Sequence, residues 1–159
     1  MSKIRTRHEM AGIRNDLRNT GQSVVFTNGC FDILHKGHIR LFLEGKKQGD
    51  ILIVAVNTDD TILRQKGPGR PIFPLAERLE VLEALETVDH LVSFEEDTPL
   101  EIILLLKPDI LIKGGDWKPD EVVGKKEVEG WGGRVIHFPY VSGSSTTSII
   151  ERIIEAPEI

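Results

Sequence analysis

The sequence has few of the features that mark secreted, cross-linked or membrane-spanning proteins. It contains one cysteine, Cys30, so no disulfide can form within the chain, which suits a reducing compartment. Its apolar runs, such as residues 51–56, are far shorter than the ~20 residues that cross a bilayer. The charged N-terminus has no apolar stretch of the kind a secretory signal needs. These absences predict a cytoplasmic protein with no membrane partner.

Positive charge is also scarce, since 20 Lys and Arg residues face 25 Asp and Glu residues and the net charge is −5. No overall field therefore draws the chain to nucleic acid, and we expect no nucleic-acid partner. Screening over roughly 8 Å at physiological salt makes small anions respond to local charge. Any phosphate site must therefore be a local collection of basic side chains, backbone amides and helix ends.

The remaining composition is that of an ordinary folded domain, with 159 residues, 40% of them hydrophobic and 28% charged. At this length roughly two thirds of the surface of the unfolded chain can be buried, enough for one core. We find no internal repeat and no low-complexity segment. The sequence predicts one domain over residues 1–159, made of a helical lead-in (1–22) and a core (23–159).

Apolar runs rich in β-branched residues alternate with helical patterns along the core. The predicted strands are residues 24–26, 51–56, 88–94, 110–112 and 135–138, and predicted helices begin near residues 38, 75, 99, 121 and 145. Strict alternation of this kind predicts an α/β fold, a Rossmann-like doubly wound domain with a five-stranded parallel sheet. Ligands of such sheets bind beyond the carboxyl ends of the strands.

The segment His35-Lys36-Gly37-His38 lies between the first predicted strand and the helix after it. Two imidazoles three residues apart share one helix face, and Gly37 lets a ligand approach the backbone. With the helix N-terminus, they could stabilise charge that develops on a reacting phosphate. A bound triphosphate would favour charging of both histidines. Two alternatives stay open: surface histidines, and a transition-metal site completed by Cys30 or Asp32.

Three other segments follow predicted strands or precede helices. Ser144 and Ser145 could cap the last helix or hold phosphates with its first amides. The glycine-flanked loop from Lys66 to Arg70 could close over an anion or could simply be a solvated loop. Lys113 ends a strand, and Trp117 after it could stack on a base or pack against a helix.

These segments resemble the signature of the cytidylyltransferase-like nucleotidyltransferases. The resemblance runs from Thr27 to His38 and covers about residues 22–152. It continues through residues 49–50, 53–59, 66–71, 88–89, 96–99, 108–109, 113–116 and 145–147. Within this family, which has the HxGH nucleotidyltransferase fold, the sequence is most similar to the adenylyltransferases of ADP-heptose synthesis.

The resemblance implies a reaction in which ATP and D-glycero-D-manno-heptose 1-phosphate give ADP-heptose and pyrophosphate, for the heptose precursor of lipopolysaccharide core. It implies Mg²⁺ bound mainly through phosphate oxygens, with Asp32 as the one candidate protein ligand. Family members are usually dimers or larger, so a homo-oligomer is expected. Because only about 20 residues precede the first predicted strand, the sugar kinase that acts before this step is expected to be a separate protein.

The resemblance also implies roles for individual residues. The catalytic set is His35, His38 and Lys66. The nucleotide-binding set is Thr27, Asn28, Gly29, Phe31, Gly37, Lys113, Gly115, Asp116, Ser144, Ser145 and Thr146. The set expected to bind the sugar phosphate is Asp32, Arg70 and Arg78.

One departure from the family bears on the nucleotide. Glycerol-phosphate cytidylyltransferases carry an arginine in their last motif, whereas residues 140–147 contain none, which favours the adenylyl over the cytidylyl reaction. The alternative enzyme is a CTP-dependent cytidylyltransferase for glycerol 3-phosphate or another polyol phosphate. Two alternatives of other classes are a catalytically silent nucleotide-binding module and a metal-binding regulator that uses Cys30, His35 and His38.

Overall fold

The computed structural model describes residues 1–115, 121–139, 141, 143 and 145–157, which form an α/β domain around one parallel sheet. The strands are β1 (Ile4–Arg5), β2 (Val24–Gly29), β3 (Ile51–Asn57), β4 (His90–Phe94), β5 (Ile110–Gly114) and β6 (Arg134–Phe138). The helices are α1 (Arg7–Asn19), α2 (Lys36–Gln48), α3 (Asp59–Lys66), α4 (Leu75–Glu83), α5 (Leu100–Leu106), α6 (Lys125–Gly130) and α7 (Thr146–Glu155). The predicted Rossmann-like fold class is confirmed.

The predicted number of strands is wrong by one, because the described sheet has six strands in the order β1-β4-β3-β2-β5-β6. The extra strand, β1, pairs in parallel with Leu91 and Val92 at the edge of the sheet. Ile4 and Arg5 are too few to show an alternating pattern, and the segment around them is charged. Pairing with β4, rather than local sequence, therefore makes them a strand. The short helix α3, between β3 and the glycine-rich loop, is also absent from the sequence prediction.

Both faces of the sheet are covered, as the continuous apolar run of β3 predicts. Ile53 and Ala55 point to one core cluster with residues of α1, α5 and α6, whereas Leu52 and Val54 point to the other, with residues of α2 and α4. All four of these β3 side chains are fully buried. Among the described residues, no helix is long and apolar enough to cross a membrane.

The order of the strands reverses at β2, which lies in the centre of the sheet between β3 and β5. Chain connections lead from β2 through β3 to β4 on one side and from β5 to β6 on the other. The carboxyl ends of β2 and β5 therefore flank the switch point, where open α/β sheets bind their ligands. The predicted phosphate-binding segments follow these two ends.

Candidate active site

A cavity of about 350 Å³ opens at the carboxyl ends of β2, β5 and β6. Its walls come from the β2–α2 loop, the end of α3, the end of β5 and the start of α7. The lining residues are Asn28, Gly29, Phe31, His35, Gly37, His38, Leu41, Lys66, Lys113, Gly114, Gly115, Phe138, Pro139, Val141, Ser145, Thr146 and Thr147. The structure thus brings the three predicted catalytic residues together with most of the predicted nucleotide-binding residues that it describes.

His35 is the N-cap of α2, a position usually taken by Ser, Thr, Asp or Asn. Its Nδ1 accepts a hydrogen bond from the backbone N–H of Gly37 at 3.1 Å. The imidazole therefore supplies one of the acceptors that the first turn of α2 requires. In this pattern the neutral ring carries its proton on Nε2, so that nitrogen is a donor.

The rings of His35 and His38 are stacked, with centroids 3.8 Å apart and an interplanar angle of 25°. Burial, together with the charges of His35 and Lys66, lowers the pKa of His38 to about 3. Burial also lowers the pKa of His35. Both imidazoles are therefore neutral near pH 7 in the free protein, and a bound polyanion would favour their protonation.

Two lysines bring positive charge to the cavity. Lys66 is the last residue of α3, and Lys113 lies on β5 with its Nζ 2.9 Å from Oδ1 of Asn28 on the neighbouring strand. Burial lowers the pKa of Lys113 to about 8, against a small opposing effect of Cys30. No carboxylate is among the described residues that line this cavity, so its side chains favour an anionic ligand.

The turn after β2 depends on Gly29 and Phe31. Phe31 has a φ of +47°, in the left-handed region, which costs an ordinary residue roughly 1–2 kcal/mol. This turn brings the Phe31 ring edge-on to His38, with centroids 5.2 Å apart. A Cβ on Gly29 would lie 3.0 Å from Cζ of Phe31. The glycine therefore leaves room for the aromatic ring that packs against His38.

The amino end of α7 forms another wall of the cavity. Ser145 is the N-cap of α7, and its hydroxyl accepts a hydrogen bond from the N–H of Ser148 at 3.0 Å. Ser145 therefore has the capping role that the sequence analysis considered. The first backbone amides of α7 could donate hydrogen bonds to an anion in the cavity. Ser144, Asp116 and the stacking hypothesis for Trp117 lie outside the described residues.

The structure does not bring Asp32, Arg70 or Arg78 into this cavity. Asp32 and Arg78 instead border a smaller cavity of about 110 Å³, which Phe31 also lines. Arg78 is buried and donates hydrogen bonds to the carbonyls of Cys30, Asn57 and Phe73, at 2.6, 2.9 and 3.0 Å. It also pairs with Asp59 at 2.7 Å. These contacts hold the fold together, and a contact of Arg78 with the sugar phosphate stays a prediction.

Some lining residues were missed by the sequence predictions. They are Leu41, Gly114, Phe138, Pro139, Val141 and Thr147. Phe138 and Pro139 follow the last predicted strand, so the rule that ligands lie at carboxyl ends could have found them. Leu41 looks like any apolar helix residue and carries no such signal. Thr27, predicted to bind nucleotide, does not line the cavity and is fully buried in β2.

The described residues offer no metal centre of their own, because no group of three or more His, Cys, Asp or Glu side chains is placed to hold an ion. The nearby carboxylate, Asp32, already accepts hydrogen bonds from Arg70, Ile72 and Phe73. This donor set does not fit a protein-bound magnesium ion. Among the described residues, the chemistry of this cavity suits a magnesium ion that is held by the phosphates of a nucleotide.

An open parallel sheet with histidines, lysines and two helix N-termini at its switch point defines an α/β protein whose cavity suits a polyphosphate ligand. The family model described as cytidylyltransferase-like matches residues 26–152. The chain belongs to this family, and it is a nucleotidyltransferase.

The chain is 50% identical over 157 residues to bifunctional protein HldE of Syntrophotalea carbinolica, a match that covers 99% of this chain and 32% of that protein. It therefore spans about a third of the length of this relative. It is 34% identical to the lipopolysaccharide core biosynthesis protein of Thermoplasma volcanium, with a TM-score of 0.62 over 79% of this chain and 100% of that one. Pantoate-beta-alanine ligase of Francisella tularensis, 20% identical, shares the fold, with a TM-score of 0.62 over 87% of this chain and 67% of that one.

Proposed function

We propose that the chain transfers the adenylyl group of ATP to D-glycero-D-manno-heptose 1-phosphate, giving ADP-heptose and pyrophosphate. The observation that carries this proposal is the cavity in which His35, His38 and Lys66 meet beside the amino ends of α2 and α7. The similarity to HldE proteins and to a lipopolysaccharide core biosynthesis protein supports the choice of the heptose acceptor.

In the proposed reaction a phosphate oxygen of the sugar attacks the α-phosphorus of ATP in line. The new oxygen–phosphorus bond forms as the bond from the α-phosphorus to the bridging oxygen breaks, and pyrophosphate leaves. No residue of the chain becomes covalently linked. The protein then contributes positioning of the two substrates and stabilisation of the charge that develops during transfer.

The histidine pair and the lysines have complementary parts in this mechanism. His35 offers an Nε2 donor in its neutral form, and both imidazoles become better donors when the triphosphate favours their protonation. Lys66 and Lys113 supply further positive charge to the same cavity. Mg²⁺ would neutralise part of the charge of ATP, bound by phosphate oxygens. The homo-oligomeric state remains a prediction.

The test is the release of pyrophosphate with ATP or CTP, each combined with both anomers of heptose 1-phosphate or with glycerol 3-phosphate. We expect the highest kcat/KM with ATP and one heptose anomer. A preference for CTP and glycerol 3-phosphate would replace this proposal with the cytidylyltransferase alternative. Tight binding of ATP without turnover of any acceptor would indicate a silent nucleotide-binding module.

A further inference from the structure

The carboxylate of Asp32 joins the β2–α2 loop, which lines the active-site cavity, to the α3–α4 loop, which follows the cavity residue Lys66. Asp32 lies in the β2–α2 loop, three residues before His35, and its side chain is only 1% exposed. Its partners Arg70, Ile72 and Phe73 lie in the α3–α4 loop, which begins directly after Lys66. One buried side chain therefore connects the segment that carries the histidines with the segment that follows the lysine.

Both oxygens of Asp32 are engaged in this connection. Oδ1 accepts hydrogen bonds from the backbone N–H groups of Ile72 and Phe73, at 2.8 and 2.9 Å. Oδ2 accepts from Nε of Arg70 at 2.7 Å. Burial by itself would raise the pKa of Asp32, but the donors of Phe73, Ile72 and Arg70 outweigh it and hold this pKa below its usual value. A charged acceptor with three donors is a strong anchor.

The stretch between Lys66 and this anchor has little packing of its own. It consists of Gly67, Pro68 and Gly69, and a Cβ at either glycine would have no atom within 4 Å. Both glycines adopt positive φ, at 85° and 87°. Glycine has the widest choice of backbone conformations, so contacts at the two ends must limit this stretch. One end is α3, where the N–H of Gly67 donates to Leu63, and the other is Asp32.

We propose that Asp32 is a positioning residue that ties the α3–α4 loop to the β2–α2 loop and so keeps Lys66 beside His38. The effect on catalysis rests on the proposed function, whereas the tie between the loops does not. This role replaces the expected contact of Asp32 with magnesium or the sugar phosphate, because the anchor already uses both carboxylate oxygens.

The first test is limited proteolysis with trypsin, which cleaves after Lys66 when this segment opens. Asp32→Asn keeps the shape but places an amide donor against the donors of the loop. We expect cleavage after Lys66 to become at least about tenfold faster, because the local opening is easier. The matched control is Asp109→Asn, since Asp109 also accepts from a buried arginine, Arg14, and a backbone N–H, that of Val24, at the opposite end of the sheet.

In the control, cleavage after Lys66 should rise no more than cleavage at other basic residues. Arg70→Ala removes the side-chain donor that faces Oδ2 of Asp32 and is the second variant if Asp32→Asn does not fold. Unchanged cleavage after Lys66 in the folded variant would overturn the proposal. An equal, selective increase in Asp109→Asn would also overturn it.

The second test is a double-mutant cycle on the rate of transfer. If Asp32 acts through Lys66, the variant with both Asp32→Asn and Lys66→Ala should be within about twofold of Lys66→Ala alone. Asp32→Asn alone should lower the rate of transfer, whereas Asp109→Asn should leave it unchanged whether or not Lys66 is present. An unchanged rate in folded Asp32→Asn would overturn the effect on catalysis. Multiplicative effects of Asp32→Asn and Lys66→Ala would overturn the proposal. If the unaltered protein transfers no adenylyl group, the proposed function fails while the proteolysis still decides the inference.

Discussion

The two ends of the sheet differ in how their polar groups are hydrogen-bonded. At the amino ends, three carboxylates accept hydrogen bonds from backbone N–H groups in or beside the strands. Asp50 accepts from Ser23 at 2.8 Å, Asp89 from Leu52 at 2.7 Å, and Asp109 from Val24 at 2.7 Å. Asp89 and Asp109 also bind Lys46 and Arg14. These carboxylates therefore stabilise the amino ends of the strands by pairing backbone N–H groups.

At the carboxyl ends, buried polar atoms are left without partners. Among the described residues these atoms include Oγ1 of Thr27, Nδ1 of His38 and Nη2 of Arg70, all in or near the candidate site. The fourth such atom, Nδ1 of His90, begins β4 at the amino end and is the exception. Each unpaired buried group costs roughly 1–3 kcal/mol. The difference indicates that the amino ends use their carboxylates for structure. The carboxyl ends combine the structural contacts of Asp32 and Arg78 with the unpaired imidazole of His38, which lines the cavity and is available to a ligand.

The largest effect is expected from His38→Ala at the carboxyl end. Loss of one donor that stabilises developing charge should lower kcat by roughly 10²–10³. The matched control is His90→Ala, which removes the unpaired imidazole at the amino end and should leave kcat unchanged. Pyrophosphate release by both variants measures the contrast. An unchanged rate in His38→Ala would exclude the proposed role of the histidine pair.

Asp109→Asn should have the reverse effect, on stability and not on rate. It weakens the partner of Arg14, whose side chain is 3% exposed. The free energy of unfolding should fall by roughly 2 kcal/mol, a value reduced by the partial exposure of Asp109. Urea denaturation measures the loss, and kcat should stay unchanged at temperatures where the variant is folded. If kcat of Asp109→Asn fell as far as that of His38→Ala, the amino end would also contribute to catalysis and the proposed difference between the two ends would be wrong.

The sequence predicts the residues that line the cavity better than it predicts the long-range contacts of β1, Asp32 and Arg78. Alternating apolar runs locate every core strand, and ligands of parallel α/β sheets bind beyond the carboxyl ends of the strands, so His35, His38 and Lys113 could be expected to converge. The short strand β1 escapes because pairing with Leu91 and Val92, not local pattern, makes it a strand. The roles of Asp32 and Arg78 escape for a related reason: their partners lie 38 to 41 residues away for Asp32 and up to 48 for Arg78.

Gly29→Ala should have a smaller effect, again at the carboxyl end. The new Cβ would lie 3.0 Å from Cζ of Phe31 and would displace the ring that supports His38. Overpacking of this kind costs roughly 1–3 kcal/mol. If 1–2 kcal/mol of this overpacking cost reduces the free energy of ATP binding, the affinity for ATP should fall roughly 5–30-fold.

The control for this glycine is Gly12→Ala in α1, where a Cβ would meet no atom within 4 Å. Because alanine is the better helix former, this variant should be more stable by roughly 0.5–1 kcal/mol, with ATP binding unchanged. Calorimetric titration with ATP separates the two variants. Equal affinity in Gly29→Ala and the unaltered protein would show that the Phe31 ring can move without disturbing the site.

The smallest effect is a dependence of ATP affinity on pH. Burial, with the charges of His35 and Lys66, lowers the pKa of His38 to about 3, so the free site holds a neutral imidazole near pH 7. The negative charge of a bound triphosphate raises this pKa, so the complex holds more protons than the free protein. Affinity should therefore increase as pH falls through the pKa of the complex, by at most tenfold per pH unit for one proton.

The lowered pKa of His38 also makes the free energy of unfolding depend on pH. The unfolded chain protonates His38 at its ordinary pKa of about 6.5, so stability is lost as pH falls below that value. Titrations of ATP in two buffers of different ionisation enthalpy measure the proton uptake on binding. His38→Gln should take up fewer protons, and the difference between the two proteins removes the titration of ATP itself. Equal uptake by both would place the titrating group outside His38, and the charging of this imidazole could then no longer be part of how the carboxyl end binds its ligand.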